Sequence, residues 1–349
     1  MNEYKWKSHI ARFLSAQTIS LLGSSIVQYA IIWYITLTTS SGKMITLSTL
    51  CGFLPQILIS LFAGVWIDRY SRKGIVMITD CLIASATLIL AIFFLTGHKN
   101  IELLLAVLAI RSAGTGIQTP AVNTIIPQVV PQKHLMQVNG INSTLSSIII
   151  FVSPAISGAI LSIAALETTL FIDVFTALIG VSITSTVPVK SLNIEVRMTK
   201  SHFTEMKEGV AYLKNHTFMR RLLIFQLLIL FLISPSAFLT PLMVSRTFGT
   251  EVWLLTMSEM TYSFGMIIGG AIITSWGGFK KKLHTTLMAG GVYGMLMAGL
   301  GIAPVFIVYL IFNMLIGITS PCYNTPVTVH IPQELRIRSR GTERHSASN

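Results

Sequence analysis

Residues 44–67 read MITLSTLCGFLPQILISLFAGVWI and contain no Asp, Glu, Lys or Arg. The run stops at Asp68-Arg69-Tyr70-Ser71-Arg72-Lys73, where charges crowd together. An uncharged stretch of this length reaches the ~20 residues that carry an α-helix across a hydrocarbon core of ~30 Å. Lipid offers the backbone no water, so each amide must bond within its own segment, which selects helix over strand. Phe13 to Leu37 and Leu222 to Ser245 have the same character. Composition agrees: of 349 residues 52% are hydrophobic and 11% charged, and the mean hydropathy is +0.70. Soluble domains carry roughly 25% charged residues, so this chain cannot cover a soluble surface.

Extending outward gives ten spans, at 13–37, 44–67, 75–96, 102–119, 139–165, 168–188, 222–245, 252–275, 283–301 and 304–324. The first apolar run exceeds the ~7–15 residues of a signal-peptide core and has no small-residue cleavage site, so it is an uncleaved span. Cys51, Cys81 and Cys322 lie in or beside apolar runs and read as small buried hydrophobes. The long connection 189–221 divides six spans from the rest. Within it Phe203, Met206, Val210 and Leu213 recur at helical spacing, which predicts an amphipathic helix at the membrane surface.

With the N-terminus in the cytoplasm, 21 of the 25 Lys and Arg fall on the inner side. Only Lys43, Lys99 and Arg246 fall outside, and Arg111 lies within a span. This is the positive-inside distribution. Anionic inner-leaflet lipid then accounts for the net charge of +12, and no nucleic-acid partner is implied. The reading is therefore a multi-pass protein of a bacterial-type cytoplasmic membrane with both termini cytoplasmic.

A repeat runs through the chain. Pro120-Ala121-Val122-Asn123-Thr124 with Pro131-Gln132 matches Pro321-Cys322-Tyr323-Asn324-Thr325 with Pro332-Gln333, at an offset of 201 residues. Each copy follows a fourth span, so the chain divides into two parallel halves joined by a cytoplasmic linker, a transporter plan. The division is a six-helix bundle at 1–188, the linker at 189–221, and a bundle of about four helices at 222–333. After Pro332-Gln333 the run Glu334-Leu335-Arg336-Ile337-Arg338 cannot cross a membrane. By the logic of the repeat two helices are expected to be missing there, leaving 334–349 as a polar, aberrant tail.

Gly64-Val65-Trp66-Ile67-Asp68-Arg69-Tyr70-Ser71-Arg72-Lys73 resembles the major facilitator signature G-x-x-x-D-R-x-G-R-K, with Ser71 where the family prefers Gly. Trp276-Gly277-Gly278-Phe279-Lys280-Lys281-Lys282 resembles its degenerate second copy. Glu208 to Leu213 with Arg220-Arg221-Leu222-Leu223 is similar to one subgroup of drug exporters. With Phe171-Ile172-Asp173-Val174 and Ile110 to Gly116, the closest likeness is to bacterial macrolide-efflux proteins; some tetracycline exporters share the pattern. Pro154-Ala155-Ile156-Ser157-Gly158 resembles the family's antiporter motif and keeps only the Pro and one Gly. The resemblance covers residues ~5–333. It implies an all-α major facilitator fold, truncated after about ten spans, and secondary active export of a hydrophobic, macrolide-like drug by proton antiport. The alternative is a truncated membrane remnant that does not transport. The resemblance also makes Gly64, Asp68, Arg69, Arg72 and Lys73 a gating motif, with Asp68 a latch between the halves.

Arg111 lies near mid-membrane, where insertion of an Arg costs ~2.5–3.5 kcal/mol, so it faces a polar interior beside Thr115 and Gln118. In the resembled family the matching Arg is implicated in proton coupling; otherwise it bonds neighbouring carbonyls as a structural residue. Asp80, Asp173 and Glu259 are carboxylates within spans, as a proton-driven antiporter requires. Asp80 sits within two turns of the cytoplasmic end, where Arg69 or Arg72 is its expected partner. Asp173 and Glu259 stand open between proton carrier and local ion pair. Polar stripes mark the faces that avoid lipid: Gln17, Ser20, Ser24 and Gln28 on span one, Asn142, Ser146, Ser153 and Ser157 on span five, and Asn313, Ser320 and Asn324 on span ten. From these, Gln28, Ser24, Asn142 and Asn313, with Gln118, are the cavity candidates. No ATP-binding loop, metal-ligand spacing or nucleophile–base motif is present, so neither an enzyme nor a cofactor is implied.

Overall fold

A computed structural model describes residues 3–189, 238–276, 279 and 282–322, with positions 220, 224, 228, 231 and 234 singly between them. The side chain of Asp68, positions 190–219 and 221 of the linker expected at 189–221, positions 277, 278, 280 and 281 of the second signature copy, and the tail at 334–349 lie outside the described residues.

Among the described residues the secondary structure is helical, with no strand. Six helices are long and apolar enough to cross a membrane. They are α1 (Glu3–Thr39), α2 (Gly42–Arg69), α3 (Arg72–Leu95), α4 (Ile101–Val129), α5 (Leu135–Ile163) and α6 (Leu166–Thr186). There follow α7, described over 238–247, α8 (Val252–Trp276), α9 (Lys282–Gly301) and α10 (Phe306–Cys322). Short turns separate neighbours from α1 to α6. Gly97 takes a φ of +86° after α3, where the His98 amide reaches back to the Phe93 carbonyl at 3.0 Å and closes the helix end.

One expectation fails in α4. Span four is expected to end just ahead of Pro120, yet the helix runs through Pro120 and Pro127 to Val129. A proline removes one backbone bond, and a membrane helix tolerates it where neighbouring helices cover the freed carbonyl. Both flanks here are buried: Gln118, Ala121, Val122, Ile125 and Ile126 all face inward. The cysteine reading also needs correction, since Cys81 is exposed and Cys51 and Cys322 are partly so. An apolar residue on the lipid side of a span needs no burial in protein. Ile57, Leu61, Ile78, Ile89 and Phe175 face outward with it.

The chain forms two compact units that part between Trp253 and Leu254. In the first, α2 packs on α4, α1 on α5 and α6, and α3 on α4 and α6. α7 belongs to this unit: the rings of Phe53 and Phe238 lie 5.8 Å apart, and Arg246 Nη2 donates to the Ser40 carbonyl at 2.5 Å.

Two apolar clusters fill the ends of the first unit. One gathers Trp6, Phe13, Leu14, Val76, Ile125 and Val187. The other gathers Val27, Ile31, Leu90, Leu104, Leu108 and Leu170. Between them, on all four helices α1, α3, α4 and α6, falls a buried polar layer. That layer holds the candidate site.

Candidate functional site

Glycine brings α4 into the centre. A Cβ at Gly116 would stand 2.7 Å from the Gln56 carbonyl oxygen of α2, and one at Gly114 would stand 2.8 Å from Ile83 of α3. One turn before Gly116, Ser112 Oγ accepts the Gln56 backbone amide at 3.0 Å. Such close approach is how membrane helices pack where small residues meet. It turns Arg111 inward, leaving the residue 3% exposed.

Arg111 pairs with Asp173 of α6, which is wholly buried. Its Nη1 also donates to Thr87 Oγ1 of α3 at 2.5 Å, and its Nη2 donates to the Ser24 carbonyl of α1 at 3.0 Å. Asp173 in turn accepts from Ser24 Oγ at 2.8 Å and from Thr87 Oγ1 at 2.9 Å. One ion pair therefore ties four helices. Of the two sequence readings for Asp173, the structure displays the ion pair. Thr115 plays no part in it: its hydroxyl donates to the Arg111 carbonyl at 3.0 Å, a bond within α4.

Asp80 is handled differently. Its expected partner is Arg69 or Arg72. Instead Oδ1 accepts from Ser20 Oγ of α1 and from Gln118 Nε2 of α4, both at 2.7 Å, and among the described residues Oδ2 has no hydrogen-bond partner. Asp80 projects into the bundle, between neutral donors, and Arg72 is occupied elsewhere. One turn from Ser20 on α1, Gln17 is 2% exposed, and among the described residues neither of its amide atoms has a partner. On α6 the buried residues Asp173, Ala177, Gly180 and Thr184 share one face, and Thr184 Oγ1 is likewise unpartnered.

At the signature, Ser71 explains its own presence. It sits at the N-cap of α3 with φ −58°, and its Oγ accepts the Gly74 amide at 3.3 Å. A serine satisfies a free helix-start amide that a glycine would leave unbound. Arg72 Nη1 lies 3.4 Å from the Thr124 carbonyl of α4. Lys73 Nζ donates to the Ser185 and Val187 carbonyls at 2.6 and 2.8 Å, where α6 ends. Cations suit the negative end of a helix, so the motif fastens the start of α3 to α4 and α6. Gly64 is half-buried on α2, and Arg69, the last residue of that helix, is exposed.

The second unit has its own polar contacts. Asn313 of α10 is buried and its Nδ2 donates to the Ser258 carbonyl of α8 at 2.7 Å. Tyr309 OH lies 2.6 Å from Ser258 Oγ. The helices meet closely there: a Cβ at Gly265 would stand 2.3 Å from the Met314 carbonyl, and one at Gly317 would stand 2.2 Å from that of Tyr262. Glu259, half-buried, follows Ser258 on α8. Among the cavity candidates, then, Ser24, Gln118 and Asn313 are engaged in contacts between helices. Gln28 is half-buried, with its Nε2 close to Gly52 of α2, and Asn142 is half-buried on α5.

Sequence reasoning missed Thr87, which joins both members of the ion pair; its only signal was its position seven residues after Asp80, on the same face of α3. It also missed that Lys73 closes α6.

The profile of the Major Facilitator Superfamily matches residues 13–341. The chain belongs to the Major Facilitator Superfamily. Macrolide efflux protein A of Streptococcus pyogenes is 29% identical over 340 residues, covering 96% of this chain and 84% of the relative. Macrolide efflux protein A of Enterococcus faecalis is 28% identical over 298 residues, covering 84% of this chain and 92% of the relative. Among solved structures, the bacterial homolog to the human lysosomal transporter Spinster, in its inward-facing and unoccupied conformation, superposes with a TM-score of 0.67 at 15% identity. That match covers 94% of this chain and 75% of the other, and it shows the fold. The chain is thus an all-α, multi-pass membrane protein of major facilitator fold. Its similarity to the macrolide efflux proteins supports drug-efflux transport.

Proposed function

We propose that this major facilitator protein exports a hydrophobic, macrolide-like drug by alternating access, in exchange for protons. The observation that carries the reading is the polar layer between two apolar clusters, centred on the buried Arg111–Asp173 pair. A layer of fixed charge in a lipid-embedded bundle costs insertion energy that a transport role accounts for. The similarity to two macrolide efflux proteins directs the choice of substrate class. Asp68 acts as the latch of the gating motif, Arg69 and the other basic termini face anionic inner-leaflet lipid, and Gln28 and Asn142 line the substrate path. Glu259 remains a second carboxylate for coupling.

The test is erythromycin accumulation in cells carrying this chain and in cells carrying empty vector, with the proton gradient intact and collapsed. Lower accumulation that returns to the vector level on collapse supports the reading. Equal accumulation under all conditions ends it. Orientation is checked with Ser41→Cys and Ser201→Cys, which are to label from opposite sides with an impermeant thiol reagent; external labelling at 201 reverses the topology.

A further inference from the structure

We propose that Asp80 is the group that carries the coupled proton, and that Gln17 and Thr184 take part in releasing it. The inference rests on the proton-antiport reading above and selects among its carboxylates. Asp173 is held by Arg111, Ser24 and Thr87, so protonating it leaves a guanidinium buried without its counter-charge. Asp80 has no such constraint. Ser20 and Gln118 fix Oδ1, and Oδ2 is left open to take or give a proton. The neutral and charged forms therefore share one orientation.

The open oxygen has company. Buried polar atoms ordinarily find a partner, and the exceptions call for an explanation. Among the described residues four such atoms, on three side chains, occur together here: Asp80 Oδ2, both amide atoms of Gln17, and Thr184 Oγ1. Ser20, which binds Asp80, lies one turn from Gln17, and residues one turn apart share a helix face. Gly180 of α6 packs on that same part of α1: a Cβ there would stand 3.1 Å from both the Ala16 carbonyl and Ser20 Cβ. Thr184 follows Gly180 by one turn on the buried face of α6. The three groups thus extend the polar layer from Asp80 toward the end marked by Arg72 and Lys73, cytoplasmic in the proposed orientation. Beyond them Phe13, Leu14, Val76, Ile125 and Val187 close the bundle.

The charged neighbours are few. α6 offers Asp173 and α4 offers Arg111, which neutralise each other, while α1 carries no charge from Phe13 to Thr39. On α3 itself, Arg72 and Lys73 reach toward carbonyls of α4 and α6. In the release step the Oδ2–H bond of protonated Asp80 breaks and the proton joins a water molecule bonded to Gln17 and Thr184. Hydronium and the Asp80 carboxylate result. Hydronium leaves when the apolar cluster parts, and a proton from the opposite side reloads the carboxylate.

The test is infrared difference spectroscopy of the full chain in lipid vesicles, titrated with pH, read at the carbonyl stretch of a protonated carboxyl group. A titrating band is expected in the unaltered protein, absent in Asp80→Asn and moved in frequency in Asp80→Glu, the second variant covering a folding failure of the first. Gln17→Leu is to slow the response to a pH jump about tenfold, with Gln17→Glu restoring it. A band that survives Asp80→Asn and vanishes in Glu259→Gln or Asp173→Asn overturns the assignment. Erythromycin export without proton counter-flow, alongside a titrating Asp80 band, ends the antiport reading and leaves the protonation site standing.

Discussion

Gly116 of α4 lies against the backbone of Gln56 of α2, so close that a Cβ would stand 2.7 Å from the Gln56 carbonyl oxygen and 3.0 Å from its Cα. Neither atom can yield, because both belong to a helix. Gly116→Ala is therefore expected to force α2 and α4 apart, at about 1–3 kcal/mol, and to disturb the neighbouring Arg111. Gly140→Ala is the control: nothing stands within 4 Å of the added methyl group, and the site is exposed. Removing a helix-interior glycine there is worth roughly 0.5–1 kcal/mol in the opposite direction. Thermal melting of the detergent-purified variants reads both. Similar melting temperatures for the two would mean that the α2–α4 contact does not limit stability.

The apolar spans were legible because lipid imposes a length and a charge rule on each helix separately, and 44–67 obeys both. Contacts between helices were not. Arg111 was recognisable as buried from its depth alone, yet its partner lies 62 residues along the chain, and nothing local distinguishes Asp173 from Asp80 or Glu259. Asp80 reads as the partner of a near neighbour in sequence because helix direction, unlike helix existence, is set by packing. Pro120 misleads for a related reason: a breaker in water is tolerated where adjacent helices shield the backbone.

The signature's fastening role leads to graded outcomes. Ser71→Ala removes the acceptor for the Gly74 amide and is expected to cost about 1 kcal/mol, whereas Ser71→Gly costs only a few tenths. Lys73→Met leaves the last carbonyls of α6 without their cation, a loss of roughly 0.3–1 kcal/mol. Melting curves are to rank them with Ser71→Gly the mildest. A Ser71→Ala variant as stable as the unaltered protein would show that the hydroxyl bond to the Gly74 amide contributes nothing.

At the opposite end of the bundle, Lys99 Nζ lies 2.9 Å from Glu167 at the start of α6. The hydrogen bond that Lys99 donates to Glu167, and the charge of that carboxylate, hold the ammonium above its ordinary value of 10.5. A cation whose folded value is raised contributes stability below its unfolded value and loses it as pH climbs through the folded one. Alkaline melting of the unaltered protein should therefore carry a component that Glu167→Gln removes, with no corresponding change at neutral pH beyond that of a surface pair. Raising salt to about 1 M, where screening acts within ~3 Å, should shrink it. An alkaline limb identical in both proteins would detach Lys99 from Glu167.

The Arg111–Asp173 pair admits a sharper test, because its two members are costly to separate and less costly to remove together. Arg111→Ala leaves the buried Asp173 carboxyl with Ser24 and Thr87; Asp173→Ala leaves the guanidinium with Thr87 and the Ser24 carbonyl. Each single change is expected to destabilise by about 3–5 kcal/mol, the range for breaking a buried pair. The double variant removes both charges and is expected to fall well short of the sum, since no unpaired ion remains. Purified proteins melted in the same detergent give the cycle, and membrane fractions show whether each variant still inserts. Export assays on the same set separate role from scaffold: a double variant that regains stability but not transport assigns the pair to the transport cycle. Additive losses in stability would mean that the two residues do not act as one pair.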